Sequence, residues 1–338
     1  MENVLVSMVL PAYNVAPYIT ETLESLLAQT HRRLEIIAVD DGSTDGTAAL
    51  LDAFSRRDRR ITVIHQENQG PAEARLRGIR AASGAYIGFA DGDDVLAPEM
   101  VEHLLKNALS HCADISHCGY QMVFPNRVDN YYGTGRLLLQ DRAAGLQDLL
   151  TGAFVEPSLG TKLFHRRLFA SLPEDFDTTI RCNEDLLMGF YLFRGADSAV
   201  YEDVCLYRYL VRADSASHGP LDARRLLDPL RVAEILRAET ENDPALRSLA
   251  EERLVRRLIA LASRKESGNP DLLLPIRQDA RRALRNRLGA ILTGRHGGLK
   301  WKLQCLWAAL SPGSYGLIHR RYEAITGLDK KYLPGGRA

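Results

Sequence analysis

The sequence predicts an α/β sandwich followed by a mostly helical extension. Three observations predict this fold class. Four short, β-prone apolar runs alternate with helical stretches in residues 1–98, as in a largely parallel sheet with right-handed crossovers. The chain has 338 residues and is 46% hydrophobic, which is ample for a buried core. From residue 221 onward the pattern is mostly helical, so we predict one main domain over 1–220 and a helical region over 221–338.

The elements of the first half can be placed in order. The run at 4–10 is almost continuously apolar, as expected for a strand covered on both faces, and Pro11 is expected to end it. Gly70-Pro71 opens a helix, because proline suits the first helical turn. The predicted strands are 4–10, 34–39, 61–64 and 86–90, and the helices between them are 17–29, 47–54 and 71–82.

Beyond residue 98 the pattern is less regular. A helix is predicted near 99–109 and strands near 114–124 and 199–210, whereas the stretch around 126–135 is polar. The helical signal after residue 221 has three interruptions that are rich in glycine or proline, at 268–270, 294–298 and 312–313.

Two acidic clusters directly follow predicted strands, at residues 40–43 (DDGS) and 91–94 (DGDD). In an open parallel sheet, ligands collect beyond the carboxyl ends of the strands, so the two clusters are expected to face one pocket. Such a pocket repels phosphates unless a divalent cation lies between them, and aspartate oxygens suit Mg²⁺ or Mn²⁺. The clusters therefore predict a site for a metal ion and a diphosphate.

The balanced charge of the chain conceals an asymmetry. Residues 1–220 carry 20 basic and 30 acidic side chains, whereas residues 221–338 carry 23 and 13, so the two parts have formal charges of −10 and +10. After Leu272, 13 Lys and Arg residues face only three acidic residues. A basic tail on an acidic body indicates an anionic partner for the tail alone.

Cysteine usage and hydropathy indicate a cytoplasmic protein. The five cysteines are odd in number and show no CxxC spacing, so reduced thiols are expected rather than a disulfide framework or a zinc site. No apolar run approaches the roughly 20 residues that span a bilayer. The first residues also lack the basic start of a signal peptide.

Taken in order, six motifs resemble glycosyltransferase family 2. They extend over about residues 3–215 and are VLPAYN at 9–14, VDDGSTD at 39–45, NQG at 68–70 with Ala74-Arg75, DGDD at 91–94, KLF at 162–164 and ED at 184–185. The resemblance implies a GT-A fold, a nucleotide-diphosphate sugar donor and Mg²⁺ or Mn²⁺. It also implies a nucleotide-binding half at 1–98 and an acceptor half at 99–220.

The resemblance implies a set of donor contacts. The tyrosine of the first motif would give a stacking face for the nucleoside, and the second aspartate of DDGS would accept a hydrogen bond from the base, which favours uracil. Leu76 departs from the family, in which many members have asparagine after the arginine, and Thr161 replaces the usual asparagine before Lys162. The implied donor-binding residues are Pro11, Ala12, Tyr13, Asn14, Asp41, Arg75, Asp91 and Gly92.

The remaining implied roles concern the metal and the acceptor. Asp93 is similar to the residue that ligates the cation, and His218 lies where some GT-A enzymes complete the metal shell, although an exposed loop histidine is the alternative. Asp185 matches the catalytic base, and Glu184 is expected to raise its pKa by like-charge repulsion. In-line attack by the acceptor hydroxyl would invert the anomeric centre.

The predicted function is inverting, metal-dependent transfer of a sugar to a glycan or lipid-linked glycan, in the assembly of surface polysaccharide. A sugar nucleotidyltransferase is a rival, but PAYN at 11–14 stands where that class normally carries a Gly-rich, basic loop. A non-catalytic nucleotide-sugar-binding or scaffold protein is the rival of another class. Both the enzyme and the scaffold would bind the donor, but only the enzyme needs Asp185.

The basic tail contains an amphipathic helix. With basic residues around it, this pattern fits a helix at an anionic membrane surface, which would place the protein at the inner face of the cell membrane. The alternative is that the stripe packs on the main domain or on a second subunit, and no nucleic-acid motif accompanies the charge. The apolar face is formed by Leu299, Leu303, Leu306, Trp307 and Leu310.

Overall fold

The structure is a computed structural model that describes residues 3–131, 133–211, 222–264, 270–294 and 298–326. The chain divides into two compact units, Met1–Val211 and Arg212–Ala338. Each unit has its own hydrophobic core, and each is described by itself.

The described part of the first unit forms one sheet of ten strands. Its main path runs in the order β3-β2-β1-β4-β9-β6-β10-β5, with β7 pairing to β6 and β8 to β10. The strands are β1 (Val6–Ala12), β2 (Leu34–Asp40), β3 (Ile61–His65), β4 (Tyr86–Phe89), β5 (Val95–Leu96), β6 (Ile115–Phe124), β7 (Arg127–Tyr131), β8 (Leu137–Asp141), β9 (Lys162–His165) and β10 (Ser198–Leu210).

The sheet is mixed, because β9 runs antiparallel to both of its neighbours, β4 and β6. On one side of β9, strands β1 to β4 are mutually parallel, as the alternating pattern predicted. On the other side β6 and β10 are parallel to each other, and β5, β7 and β8 pair antiparallel at this end of the sheet.

Helices of the first unit cover the sheet with their apolar faces. In the first of them, Ile19, Leu23 and Leu26 recur at helical spacing and are fully buried in the core. Besides a 3-10 helix (Arg166–Ser171), the helices are α1 (Ile19–Leu27), α2 (Thr47–Arg57), α3 (Pro71–Ala81), α4 (Met100–Ser110), α5 (Arg142–Thr151) and α6 (Glu184–Gly195).

Two predictions about strands are corrected. Pro11 does not end the first strand, since β1 continues to Ala12 and pairs with β2 to its end. The pairing of β1 with β4 stops at Val9, so Pro11 needs no N–H for a ladder on that side. The polar stretch around 126–135 contains β7, which forms a hairpin with β6. Arg127 stabilises that hairpin by stacking its guanidinium 3.7 Å from the centre of the Phe124 ring.

The described part of the second unit is helical. Its core contains residues of the helices at 223–239, 244–262, 270–293 and 299–310, and Leu254, Leu258 and Leu284 are nearly inaccessible to solvent. The predicted interruption at 312–313 is shifted by one residue, because the break lies at Ser311 and the next helix begins at Pro312. The other two, at 268–270 and 294–298, lie largely outside the described residues. The helices are α7 (Ala223–Glu239), α8 (Pro244–Ala262), α9 (Pro270–Thr293), α10 (Leu299–Leu310) and α11 (Pro312–Thr326). None of the described helices is apolar over a length that would cross a bilayer.

Candidate active site

One edge of the sheet collects the predicted site residues. The carboxyl ends of the parallel strands β1, β2 and β4 meet there, so the loops that carry both acidic clusters are neighbours. Because β9 is antiparallel, its first residue, Lys162, lies level with the end of β4 at the same edge. The sequence predicted the meeting of the two clusters but not this contribution from β9.

The carboxylates of the first acidic cluster accept hydrogen bonds from donors of the protein itself. The side chain of Asp41 is buried, and its carboxylate binds the loop at 66–70. It accepts hydrogen bonds from Gln66 Nε2 (2.8 Å), Gln69 N (2.7 Å) and Gly70 N (2.8 Å). Two of these donors are backbone N–H groups directly before α3, so Asp41 determines where that helix begins.

Asp40 is also engaged within the protein. Its Oδ1 accepts a hydrogen bond from Ser43 N at 3.1 Å, and its Oδ2 lies 2.9 Å from His65 Nδ1. The hydrogen bond with Asp40, together with a second to Asp52, raises the pKa of His65 above its ordinary value. The first cluster therefore ties β2 to β3 and to the loop before α3.

The residues at the end of β1 and directly after it are those predicted to form a wall around the nucleoside. Pro11 and Ala12 are the last residues of β1, and the ring of Tyr13 is 47% exposed beyond them. Asn14 has a left-handed backbone (φ +52°) and its Oδ1 accepts a hydrogen bond from Thr44 N at 2.8 Å. The loops after β1 and β2 are thus fastened together, which leaves the Tyr13 ring facing solvent.

The second acidic cluster is organised by a residue that the sequence interpretation missed. Asp94 is 1% exposed and accepts hydrogen bonds from Tyr207 Oη at 2.7 Å and from Leu210 N at 3.1 Å. The backbone N of Asp91 donates to the same Tyr207 hydroxyl at 3.3 Å. Burial, with the nearby charges of Asp93 and Asp91, holds the pKa of Asp94 well above its usual range. An aromatic residue on a distant strand gives no motif that would have identified Tyr207.

Gly92 has a packing reason to be glycine. A Cβ at this position would lie 2.9 Å from Val15 Cγ2, so a side chain would displace the loop after β1. Its contact with a bound donor stays a prediction, whereas the close approach of the two loops is directly visible.

Arg75 joins the two halves of the site. Its guanidinium is buried and binds Asp91 Oδ1 at 3.0 Å and Glu184 Oε1 at 2.6 Å. The sequence interpretation foresaw either a phosphate or an acidic side chain as its partner, and the structure shows acidic side chains from both halves. Although burial opposes the charge, Asp91, Glu184 and Asp185 raise the pKa of Arg75 further, so it is permanently cationic.

The start of α6 carries the predicted acceptor-side carboxylates. Burial raises the pKa of Glu184 to about 7, although Arg75 opposes that rise. Burial also raises the pKa of Asp185, with a further contribution from Asp91, while Arg75 and Lys162 oppose it. The expected direction of the Asp185 shift agrees with the structure, but its largest cause is burial rather than repulsion by Glu184.

Lys162 is buried beside this pair. Its ammonium group donates to the carbonyl oxygens of Glu156 (2.7 Å) and Ser158 (2.6 Å) and to Thr161 Oγ1 (3.0 Å). Burial lowers its pKa to about 8. Lys162 therefore holds the loop before β9 in place and adds positive charge near Asp185.

Arg181 is a further residue near the site that the sequence did not indicate. Its Nη1 donates to Asn68 Oδ1 at 2.8 Å, and its guanidinium lies over Gly70. Gly70 has φ +97°, and a Cβ there would lie 2.6 Å from the Arg181 guanidinium. The segment before α6 thereby contacts the loop that Asp41 holds from the other side.

A metal ion held by protein side chains alone is not indicated within the described residues. They contain no cluster of three His, Cys, Asp or Glu side chains placed to hold a metal ion. Asp93 lies half-buried in the DGDD turn, where carboxylate oxygens suit Mg²⁺ or Mn²⁺. The other predicted ligand, His218, lies outside the described residues.

Comparisons with known proteins show the family of the chain. Residues 7–172 match the family model described as "Glycosyl transferase family 2". The chain is 36% identical over 220 residues to the uncharacterized glycosyltransferase EpsJ of Bacillus subtilis (strain 168), and this alignment covers 64% of this chain and 64% of EpsJ. It is 38% identical over 224 residues to the putative teichuronic acid biosynthesis glycosyltransferase TuaG of the same organism, and that alignment covers 65% of this chain and 84% of TuaG.

A solved structure shows the same fold. The crystal structure of S. aureus TarS 1–349 in complex with UDP-GlcNAc matches with a TM-score of 0.69 over 95% of this chain and 92% of that chain, at 19% identity. The predicted fold class, a GT-A sandwich with a helical C-terminal region, is therefore confirmed.

Proposed function

The chain belongs to glycosyltransferase family 2, and we propose that it transfers a sugar from a nucleotide-diphosphate sugar to a hydroxyl group of a glycan or lipid-linked glycan. The observation that carries this proposal is the buried Arg75, which binds Asp91 of the DGDD turn and Glu184 at the start of α6. One cation thereby holds the donor-side and acceptor-side carboxylates together. Transfer between two bound substrates requires such fixed proximity.

A UDP-sugar is the favoured donor. TarS was crystallised with UDP and with UDP-GlcNAc, and this chain shares its fold. The exposed ring of Tyr13 offers a face on which a base can stack, with Pro11, Ala12 and Asn14 beside it. Asp41 Oδ2 accepts one hydrogen bond, from Gly70 N, so it retains capacity to accept another from the N–H of uracil. Asp91 and Gly92 would face the ribose.

In this proposal Asp93 would hold a divalent cation together with the donor. Mg²⁺ is usually held by one or two carboxylates together with phosphate oxygens and water, so a turn with few protein ligands fits it better than a closed cage would. Bound there, Mg²⁺ or Mn²⁺ supplies Lewis-acid stabilisation of the charge on the leaving diphosphate. His218 as a further ligand stays a prediction.

Asp185 acts as the base in this proposal. It accepts the proton of the acceptor hydroxyl while the acceptor oxygen forms its bond to the anomeric carbon and the bond from that carbon to the diphosphate oxygen breaks. Attack from the face opposite the leaving group inverts the anomeric centre. The raised pKa of Asp185 brings it closer to the pH at which it works, which favours general-base catalysis.

The assembly of surface polysaccharide is the proposed setting. TuaG is named for teichuronic acid biosynthesis, and the chain aligns with 84% of its length. The acceptor in this proposal is accordingly a growing glycan, free or linked to a lipid. The loops between residues 114 and 211 would select it.

The first test is a panel of nucleotide sugars measured by thermal unfolding with and without Mn²⁺ or Mg²⁺. A ligand that binds only the folded protein raises its apparent stability by mass action. We expect one donor to raise Tm in a metal-dependent manner and to be hydrolysed slowly. Asp93→Ala should lose the metal-dependent part of that rise. A folded protein that no donor stabilises would contradict the proposal.

Asp185→Asn separates binding from catalysis. We expect this variant to retain the donor-dependent rise in Tm and to lose sugar transfer by about 10² to 10⁴-fold, the usual contribution of a general base. In the wild type, kcat/KM should fall as the pH is lowered through the pKa of Asp185, which lies above the ordinary aspartate value of about 3.9. Full transfer by Asp185→Asn would remove this residue from the role of base.

A further inference from the structure

The second unit exposes an unusual apolar surface on two consecutive helices, α10 and α11. Three leucines of α10 are more than half exposed, and Trp307 of the same helix is 37% exposed. The residues of this surface and their exposed fractions are Leu299 (74%), Leu303 (55%), Trp307 (37%), Leu310 (66%), Leu317 (49%), Ile318 (50%) and Tyr322 (58%). We call these seven residues the apolar face.

The apolar face is the outer side of α10. The inner side of this helix is formed by Cys305, Ala308 and Ala309, which are fully buried in the core of the unit. The small side chains of α10 are therefore buried, whereas the large side chains of the apolar face are exposed. In most amphipathic helices the large apolar side chains are the buried ones. Of the leucine stripe, Leu299, Leu303, Trp307 and Leu310 are exposed, whereas Leu306 is half-buried.

The two helices form one surface. Trp307 stacks edge-on against Tyr315 at 5.4 Å between ring centres, and its Nε1 donates to Ser314 Oγ at 2.9 Å. These contacts across the break at Ser311 hold α11 against α10. Several large exposed apolar side chains on two helices that contact each other indicate a site of interaction.

The charge around the apolar face indicates the partner. From residue 280 to 322 the chain contains no Asp or Glu but nine Lys and Arg residues. Lys300 and Arg321 are exposed within α10 and α11 themselves. A basic cleft of about 440 Å³ on α9 is lined by Gln278, Arg281, Arg282, Arg285 and Asn286, and Arg285 Nε donates to Ala309 O at 3.3 Å, so this cleft adjoins the inner side of α10.

We propose that α10 and α11 lie on an anionic lipid bilayer, with the apolar face inserted into the interface and the surrounding Lys and Arg side chains on lipid phosphates. Apolar insertion combined with electrostatic attraction to anionic lipids is the physical basis of interfacial binding by amphipathic helices. The proposal is independent of the sugar transfer, because lipid binding needs neither donor nor metal.

The chain carries its own probe for this surface. Its two tryptophans, Trp301 and Trp307, both lie on α10, so intrinsic fluorescence reports on this helix alone. Trp301 belongs to the packed side, with the Arg256 guanidinium 4.5 Å from its ring, whereas Trp307 is on the apolar face. A Trp301→Phe variant therefore leaves a single fluorophore on the proposed insertion surface.

The experiment measures binding of the full chain to vesicles of phosphatidylcholine, with or without 30% phosphatidylglycerol. We expect binding to the anionic vesicles that weakens with added salt, a blue shift of Trp307 emission, and quenching by brominated lipid. Leu303→Glu/Leu310→Glu should weaken binding by about tenfold or more, since each change removes an inserted apolar side chain and adds a negative charge. The rise in Tm that a donor causes should be the same in this double variant as in the wild type.

Leu139→Glu is the matched control, because Leu139 is 64% exposed on β8 of the first unit and outside the apolar face. It should bind vesicles as the wild type does. The proposal would be overturned if the folded wild type did not bind anionic vesicles, or if the double variant bound them equally well. It would also be overturned if neither protein bound vesicles and the wild type were an oligomer whereas the double variant was a monomer. The last result would assign the apolar face to a second copy of the chain.

Discussion

The two acidic clusters follow parallel strands in the same way, yet the structure uses them differently. Asp40 and Asp41 are engaged by donors of their own half, which hold a loop, a strand and the start of a helix. In the second cluster, Tyr207 of β10 binds Asp94, and Arg75 links Asp91 to Glu184 of α6, so the contacts extend beyond residue 98 and carboxylates crowd together. The same sequence pattern thus builds a structural support in one place and a charged centre in the other.

The largest expected effect is at the residue that neutralises the second cluster. Arg75→Met leaves Asp91 and Glu184 without their shared cation, and breaking a buried ion pair in this way typically lowers the free energy of unfolding by about 3–5 kcal/mol. Urea unfolding measures the change. Arg77→Met is the control, since Arg77 is exposed on the same helix and should change stability by less than about 0.5 kcal/mol.

A second variant distinguishes charge from packing at Arg75. Adding Glu184→Gln to Arg75→Met removes one of the two carboxylates left without a partner, so part of the lost stability should return. If Arg75→Met lowered the free energy of unfolding no more than Arg77→Met does, the second cluster would not depend on its cation. The contrast between the two clusters would then be lost.

The same substitution in both clusters gives the sharpest comparison. Asp41→Ala deprives the backbone N–H groups of Gln69 and Gly70 of their acceptor, so it should lower the free energy of unfolding by about 2–4 kcal/mol. Asp93→Ala should lower it by less than Asp41→Ala does, because Asp93 is only half-buried. In donor assays on folded protein, Asp93→Ala should lose the metal-dependent part of the stabilisation. Equal losses of stability would show that both clusters are structural.

Tyr207→Phe tests whether a distant strand holds the second cluster. The change removes the hydroxyl that donates to Asp94 at 2.7 Å and accepts from Asp91 N, so unfolding should become easier by about 1–3 kcal/mol. Tyr86→Phe is a suitable control because Tyr86 is also buried but contributes mainly its ring, which packs edge-on against His165. If calorimetry gave the same loss of stability for Tyr207→Phe and Tyr86→Phe, the role of Tyr207 would be contradicted.

The smallest expected effect is a pH dependence in the first cluster. The hydrogen bond to Asp40 raises the pKa of His65, so protonated His65 stabilises the folded state fully below its unfolded pKa of about 6.5. That contribution is lost as the pH rises through the higher folded pKa. Because the His65 side chain is 47% exposed, we expect well under about 1 kcal/mol. His65→Gln should flatten stability over this range, and an unchanged slope would exclude His65 as its source.

Local patterns predicted the parallel half of the fold well. Each of the four early strands coincides with an apolar run, and the helix at Pro71 begins where Gly70-Pro71 indicated, because these signals depend on neighbours in sequence. The strand β7 was missed because its residues are polar and its existence depends on pairing with β6. The end of β1 was misplaced because the tolerance for Pro11 depends on where a neighbouring strand stops.

The sequence by itself determined the chemistry of this protein: two carboxylate clusters at strand ends, a Glu-Asp pair, and a basic tail with an apolar helix. Only the tertiary structure decided how these groups are used. It placed Arg75 between the two halves, Tyr207 on Asp94, and the leucines of α10 outside rather than in the core. Spacing along the chain identifies which groups are present, but burial and partners depend on contacts between residues far apart in sequence, and these determine charge state and exposure.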